Sequence, residues 1–223
     1  MSQTNPHPDF LSDRHEFQID RMILFSDAVF AIAITLLVIE MKVPILKVRN
    51  SHELTKALEE KIPEFLGFAL SFAVIGQFWV THHRLFGYIT NYTQGLLWLN
   101  LHVLFWIALV PFTSGLNSFY GNLDIAWMVY NFNMLMISLS LFFIYRYAGN
   151  PDRKLSTLVD QPIVKKYSFQ RSRYISAIFL LAILLCIPDW EPASWASRFV
   201  LFLIPIAISR VNNRARKEMS RVA

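Results

Sequence analysis

Residues 21 to 44, RMILFSDAVFAIAITLLVIEMKVP, form an apolar run long enough to cross a bilayer, with Arg21, Ser26 and Asp27 near one end and Glu40 and Lys42 near the other. Five further mainly apolar runs follow, at roughly 62 to 83, 95 to 115, 123 to 145, 174 to 188 and 195 to 211. The pattern predicts six transmembrane helices and an all-α, polytopic membrane fold. The chain reads as a single membrane unit, with a cytoplasmic tail at 1–20, a six-helix region at 21–211 and a basic tail at 212–223. The first run is too long for a cleaved signal peptide, starts too far in and lacks a small-residue cleavage site. Pro63 and Glu64 suit a helix start, whereas Pro111 and Pro205 fall inside the third and sixth runs and predict kinks. Residues 51 to 61, SHELTKALEEK, predict a short outside helix, and 149 to 172 a longer polar cytoplasmic connection holding another. No internal repeat is present, so any symmetry must come from oligomerisation.

Composition agrees: 54% of residues are hydrophobic, and charge is concentrated in the connections. The single cysteine, Cys186, lies in the fifth run, which excludes an intrachain disulfide. The net charge of +5 could suggest nucleic acid, but the distribution of Lys and Arg fits topology better. With the N-terminus inside, fifteen Lys and Arg fall in cytoplasmic segments, seven of them between Arg146 and Arg173. The outside carries Lys42, Lys47, Arg49, Lys56 and Lys61, and the two later outside loops carry none. Both termini are therefore expected in the cytoplasm. Trp127, Trp190 and Trp195 fall at outer helix ends, where indoles favour the headgroup region.

Folding this topology onto the intramembrane polar residues brings Asp27, Gln77, Trp79, His82, His83, Arg84, Asn100 and His102 to one depth, the cytoplasmic third of the bundle. A carboxylate in hydrocarbon needs donors, and these neighbours supply them. Two readings stay open: a structural network pinning helices 1, 2 and 3, or a proton relay or ion site. Which of His82 and His83 joins Asp27 is undetermined. Adjacent on a helix, they point about 100° apart and do not share a metal ion easily. No HExxH, GxSxG or Walker sequence occurs, and neither an enzyme, a metal centre nor a cofactor is expected.

Helix 1 has a second face. At about 100° per residue, Ile32, Leu36 and Ile39 lie within about 60° of one another, with Thr35 on the flank and Asp27 roughly 140° away. Periodicity alone leaves this stripe as lipid-facing, core or pore-lining.

Arg21, Phe25, Ser26 and Asp27 form an R-x-x-x-F-S-D signature followed by AVFAIAITLLVIEM. This resembles the transmembrane protein 175 family of potassium-permeable channels, and the Trp79, His82, His83 and Asn100 group is similar to the network around that signature. Members with one copy of the motif are prokaryotic homotetramers, and only one copy occurs here. The resemblance implies that helix 1 of each subunit lines a central pore. By position, Ile32 would be the main constriction, Leu36 and Ile39 further apolar rings, and Thr35 a hydroxyl ring. Arg21, Ser26 and Asp27 would be structural, held by helices 2 and 3, although an ideal helix places Arg21 on the pore stripe unless its start bends.

The function expected is a modestly potassium-selective cation channel in the plasma membrane of a prokaryote, with potassium, the bilayer and three further copies as its partners and no nucleic acid. No TVGYG-like carbonyl filter is present, so a hydrophobic ring imposes the barrier. Glu40 either enriches cations at the outer mouth or pairs with nearby lysines. The rival is a proton-coupled secondary transporter using Asp27 and His82 or His83, and a non-conducting scaffold is a third possibility.

Overall fold

The computed structural model describes residues 8–48, 50–188 and 190–221, with side chains from Phe17 onward except that of Glu40. Among these residues the regular elements are helical, and six helical segments are long and apolar enough to cross a membrane. The chain is thus a multi-pass membrane protein.

The first crossing is α1 (Pro8–Leu36), which tightens into a 3-10 turn over Leu37–Glu40. It begins well before the apolar run, because polar residues outside the hydrocarbon can still wind as helix. After an extended stretch comes the amphipathic α2 (Ser51–Glu60), where the expected outside helix lies; Asn50 caps it by accepting from the Glu53 amide at 2.8 Å. The second crossing is α3 (Ile62–Phe86), opened by Pro63 and by a 2.5 Å Lys61–Glu64 pair.

The third crossing is divided into α4 (Gln94–Ala108) and α5 (Val110–Phe119). Pro111 has no amide hydrogen for the Ile107 carbonyl, and the helix breaks there as expected. α6 (Asp124–Ala148) is the fourth crossing and the most buried, packing against α4, α5 and α7. The sixth crossing is likewise divided, into α8 (Glu191–Val200) and α9 (Leu203–Met219). Its break at Leu201 and Phe202 falls one turn before Pro205, at the carbonyl that proline cannot reach.

Two expectations need correction. The fifth crossing, α7 (Pro162–Leu185), starts twelve residues earlier than hydropathy indicated, so the polar connection shrinks to 149–161. What is helical in it is two 3-10 turns, Pro151–Arg153 and Thr157–Asp160. The connection is tied down by paired backbone bonds, Thr90 N–H to Leu155 O and Thr157 N–H to Tyr88 O, each 2.9 Å. Trp127 is not an exposed anchor: it is buried, stacks on Tyr130, and lies beneath the Arg198 guanidinium, whereas Trp190 and Trp195 are exposed.

Arg198 also donates to the Gly121 carbonyl and pairs with Asp124 at 3.4 Å, clamping α8 to the turn before α6. A Cβ on Gly121 would sit 2.6 Å from the Asn117 carbonyl oxygen. Since backbone must shift to admit it, Gly121→Ala is expected to destabilise the fold by about 1–3 kcal/mol, in the range of overpacked sites. A thermal melt of the detergent-solubilised protein checks this, and an unchanged midpoint would refute it.

Candidate functional site

The site is built on α1, which sits at an edge of the bundle against α3 and α4. Its buried positions, continued by Leu37 of the 3-10 turn, are Ile19, Met22, Ser26, Phe30 and Ala33, a run of threes and fours that draws one stripe along a helix. The opposite stripe is also apolar, yet it stands free.

Ser26 is the polar member of the buried stripe and is fully enclosed, as is Asn100 of α4, while His82 of α3 is 1% exposed. Two bonds link them, and a third ties Ser26 to its own helix. The Ser26 hydroxyl donates to the Met22 carbonyl at 2.7 Å, Asn100 Nδ2 donates to Ser26 Oγ at 2.8 Å, and His82 Nε2 lies 2.8 Å from Asn100 Oδ1. The directions follow from counting hydrogens. Ser26 has one, committed to Met22, so the serine oxygen must accept, and the amide must turn its NH2 toward it. Asn100 Oδ1 then faces His82, whose Nε2 carries the proton. His82 is further enclosed between Phe30 at 5.4 Å and Phe86 at 4.2 Å.

Asp27 belongs to a second, more exposed branch. Trp79 Nε1 donates to its carboxylate at 2.8 Å, and the Trp79 ring stacks on His83 at 5.5 Å. Thus His82 joins Ser26 and Asn100, whereas His83 supports the tryptophan that holds Asp27.

Several residues expected at this junction point elsewhere. His102 Nδ1 bonds Ser140 Oγ at 2.8 Å and its Nε2 accepts from Trp106 at 3.2 Å, so it joins α4 to α6. Gln77 engages Thr81 one turn on within α3. The structure does not bring Arg21 or Phe25 into the network: Phe25 is exposed, and the Arg21 guanidinium lies over the Phe17 ring at 5.7 Å. α1 is continuous past both, without the break that would turn Arg21 away.

The free stripe of α1 carries the residues singled out from periodicity. Ile32 is 58% exposed, Leu36 40% and Ile39 67%. Thr35 is exposed too, and its hydroxyl donates to the Ile32 carbonyl at 2.9 Å, leaving its oxygen outward as an acceptor. The side chain of Glu40 lies outside the described residues. No group of three or more His, Cys, Asp or Glu side chains able to hold a metal occurs among the described residues.

The description "Endosomal/lysosomal potassium channel TMEM175" matches residues 21–111, which hold the signature and both branches of the network. A potassium channel of Chamaesiphon minutus is 32% identical over 200 residues, spanning 86% of this chain and 94% of the relative. The chain belongs to the TMEM175 family. A second relative, a potassium channel of Streptomyces collinus, is 34% identical over 149 residues, 65% of this chain and 71% of its own. Among solved structures, the lysosomal potassium-selective channel TMEM175 homolog from Chamaesiphon minutus superposes with a TM-score of 0.70 at 30% identity, covering 89% of this chain and 98% of that one.

The network yields a test of its own. Asn100→Leu removes both amide bonds and strands a buried histidine N–H, a loss of about 1–3 kcal/mol, whereas replacing both partners by apolar groups can be nearly neutral. The double variant His82→Phe/Asn100→Leu is therefore expected to unfold less readily than Asn100→Leu alone. Additive losses in thermal melts of the four corners of the cycle would overturn the pairing.

Proposed function

We propose that the chain is one subunit of a homotetrameric potassium channel in which α1 of each copy lines a central pore. The observation that carries this reading is the free apolar stripe of α1, opposite the buried stripe through which the helix packs on α3 and α4, in a chain whose relatives are named potassium channels. The channel sits in the plasma membrane of a prokaryote with both termini cytoplasmic, consistent with the excess of Lys and Arg on that side.

Ile32 forms the constriction, followed by rings from Leu36 and Ile39. An α-helix rises about 1.5 Å per residue and a 3-10 helix about 2.0 Å, so the three rings are spaced at roughly 6 Å. The 3-10 turn supports their alignment, because three residues per turn bring Ile39 close to eclipsing Leu36. A ring of aliphatic side chains has no oxygen to replace water around an ion, so it dewets and imposes a dehydration barrier. Small outward movement of α1 admits partly hydrated cations, and potassium, the more weakly hydrated, passes more readily than sodium. Thr35, between the aliphatic rings, presents a hydroxyl oxygen whose proton is already used, a favourable contact for a cation. Ser26, Asn100, His82, Asp27 and Trp79 hold the helix in place and do not touch the ion.

The test is the potassium/sodium reversal potential and the current of the purified protein in planar bilayers. Ile32→Asn is expected to raise the current and lower the selectivity, by placing a carboxamide in the narrowest ring. An unaltered current in Ile32→Asn, together with proton-coupled uptake abolished by Asp27→Asn, would instead make the chain a secondary transporter.

A further inference from the structure

At the end of the bundle where α3 and α9 finish and α7 begins, a cavity of about 230 Å³ opens between these helices. Arg84 of α3 and Arg171 of α7 line it, joined by Tyr88, Tyr167, Ser168 and Asn212. No carboxylate belongs to the lining, and neither guanidinium forms an ion pair among the described residues. Glu218, which accepts from the hydroxyl of the lining residue Tyr167 at 2.6 Å, is also paired with Lys166 at 2.8 Å. Its charge is therefore balanced by Lys166, and the two arginines remain in excess.

Arg171 also lines a second cavity, a narrower cleft of about 70 Å³ that continues along the same helices into the apolar part of the bundle. Beyond Arg171, Gln77, Thr81 and two serines, its walls are Val74, Phe78, Ile175, Phe179, Ile204 and Ile208 with Leu141 behind them. The pair of cavities thus presents a cationic mouth with hydroxyl and amide donors, leading into an aliphatic and aromatic slot. A soluble anion needs only the mouth. An amphiphile needs both.

We propose that the cleft between α3, α7 and α9 binds a phosphate-bearing amphiphile, an anionic membrane phospholipid. Its phosphate pairs with Arg84 and Arg171, and part of one acyl chain lies along Ile175 and Ile208. A guanidinium takes phosphate oxygens two at a time, and basic pockets between membrane helices at the headgroup level suit this chemistry. The slot, at about 70 Å³, holds only a short part of a chain. The remainder would lie against the outer surface of α9, where Ile206 and Leu203 are exposed.

The experiment is native mass spectrometry of the purified full chain in mixed micelles of phosphatidylglycerol and phosphatidylcholine, counting each lipid retained per protomer. The wild type is expected to prefer phosphatidylglycerol. Each of Arg84→Gln and Arg171→Gln should lower that preference about fivefold, and the double variant about 25-fold. Ile208→Trp keeps both arginines but fills the slot, and should lower phosphatidylglycerol retention while millimolar inorganic phosphate leaves wild-type retention unchanged. Should the double arginine variant fail to fold, Ile208→Trp decides alone. An undiminished preference in a folded double variant, undiminished retention in Ile208→Trp, or displacement of the lipid by inorganic phosphate would overturn the proposal, the last by making the mouth a free-anion site.

Discussion

The bond from Asn100 to Ser26 governs how α1 is rotated, and the rotation of α1 decides which residues it leaves free. Inside a bilayer, hydrophobicity cannot make that choice, because lipid tails are as apolar as leucine. Both stripes of α1 are apolar: Met22, Phe30 and Leu37 face the bundle, while Leu24, Ile32 and Ile39 face away. Either could meet α3 and α4 with little difference in burial. Turning the helix by one residue would move Ser26 off Asn100 and leave the carboxamide without its acceptor in a site of zero exposure. Stranding such a group costs about 1–3 kcal/mol. A buried serine thereby sets the position of Ile32 six residues further on.

The two branches of the network divide this work by burial. His82, Asn100 and Ser26 form a closed chain whose protons all run one way and end on a backbone carbonyl. Asp27 sits outside that chain, half-buried, with Trp79 as its donor and His83 stacked behind the indole. Two adjacent histidines serve two branches because about 100° separates them on α3. A proton relay runs through the two ring nitrogens of an imidazole. Among the described residues His82 has one hydrogen-bond partner, the Asn100 carboxamide at Nε2, which does not hand a proton on, and this favours anchorage over transfer.

Hydropathy made the crossings legible because the length of an apolar run is set by the bilayer, which the sequence reports directly. It misjudged the start of α7 for the same reason: Lys165, Lys166 and Arg171 are polar but still helical. The prolines located both broken crossings, since the missing amide is a local property. Within the network, depth could be read and azimuth could not. Grouping by depth put Asp27, Trp79, His82 and Asn100 in one set without pairing them, and it also drew in His102 and Gln77, which turn to α6 and to their own helix. Trp127 misled in a similar way. Its place at a helix end suited a headgroup anchor, but α8 crosses over it and places Arg198 against the ring.

In the proposed channel Arg21 is the residue whose position bears most awkwardly on cation passage, for it shares the free stripe with Ile32 and nothing in α1 turns it aside. Distance and water resolve the conflict. Eleven helical residues separate the two Cα atoms by roughly 16 Å along the axis. The Debye length at physiological ionic strength is about 8 Å, so across a wet vestibule a charge at that separation is felt weakly. The placement of the guanidinium over Phe17, one turn further from Ile32, draws the charge away from Ile32. In the proposed pore a cation would therefore meet the arginines where water still screens them, at a distance from the aliphatic rings.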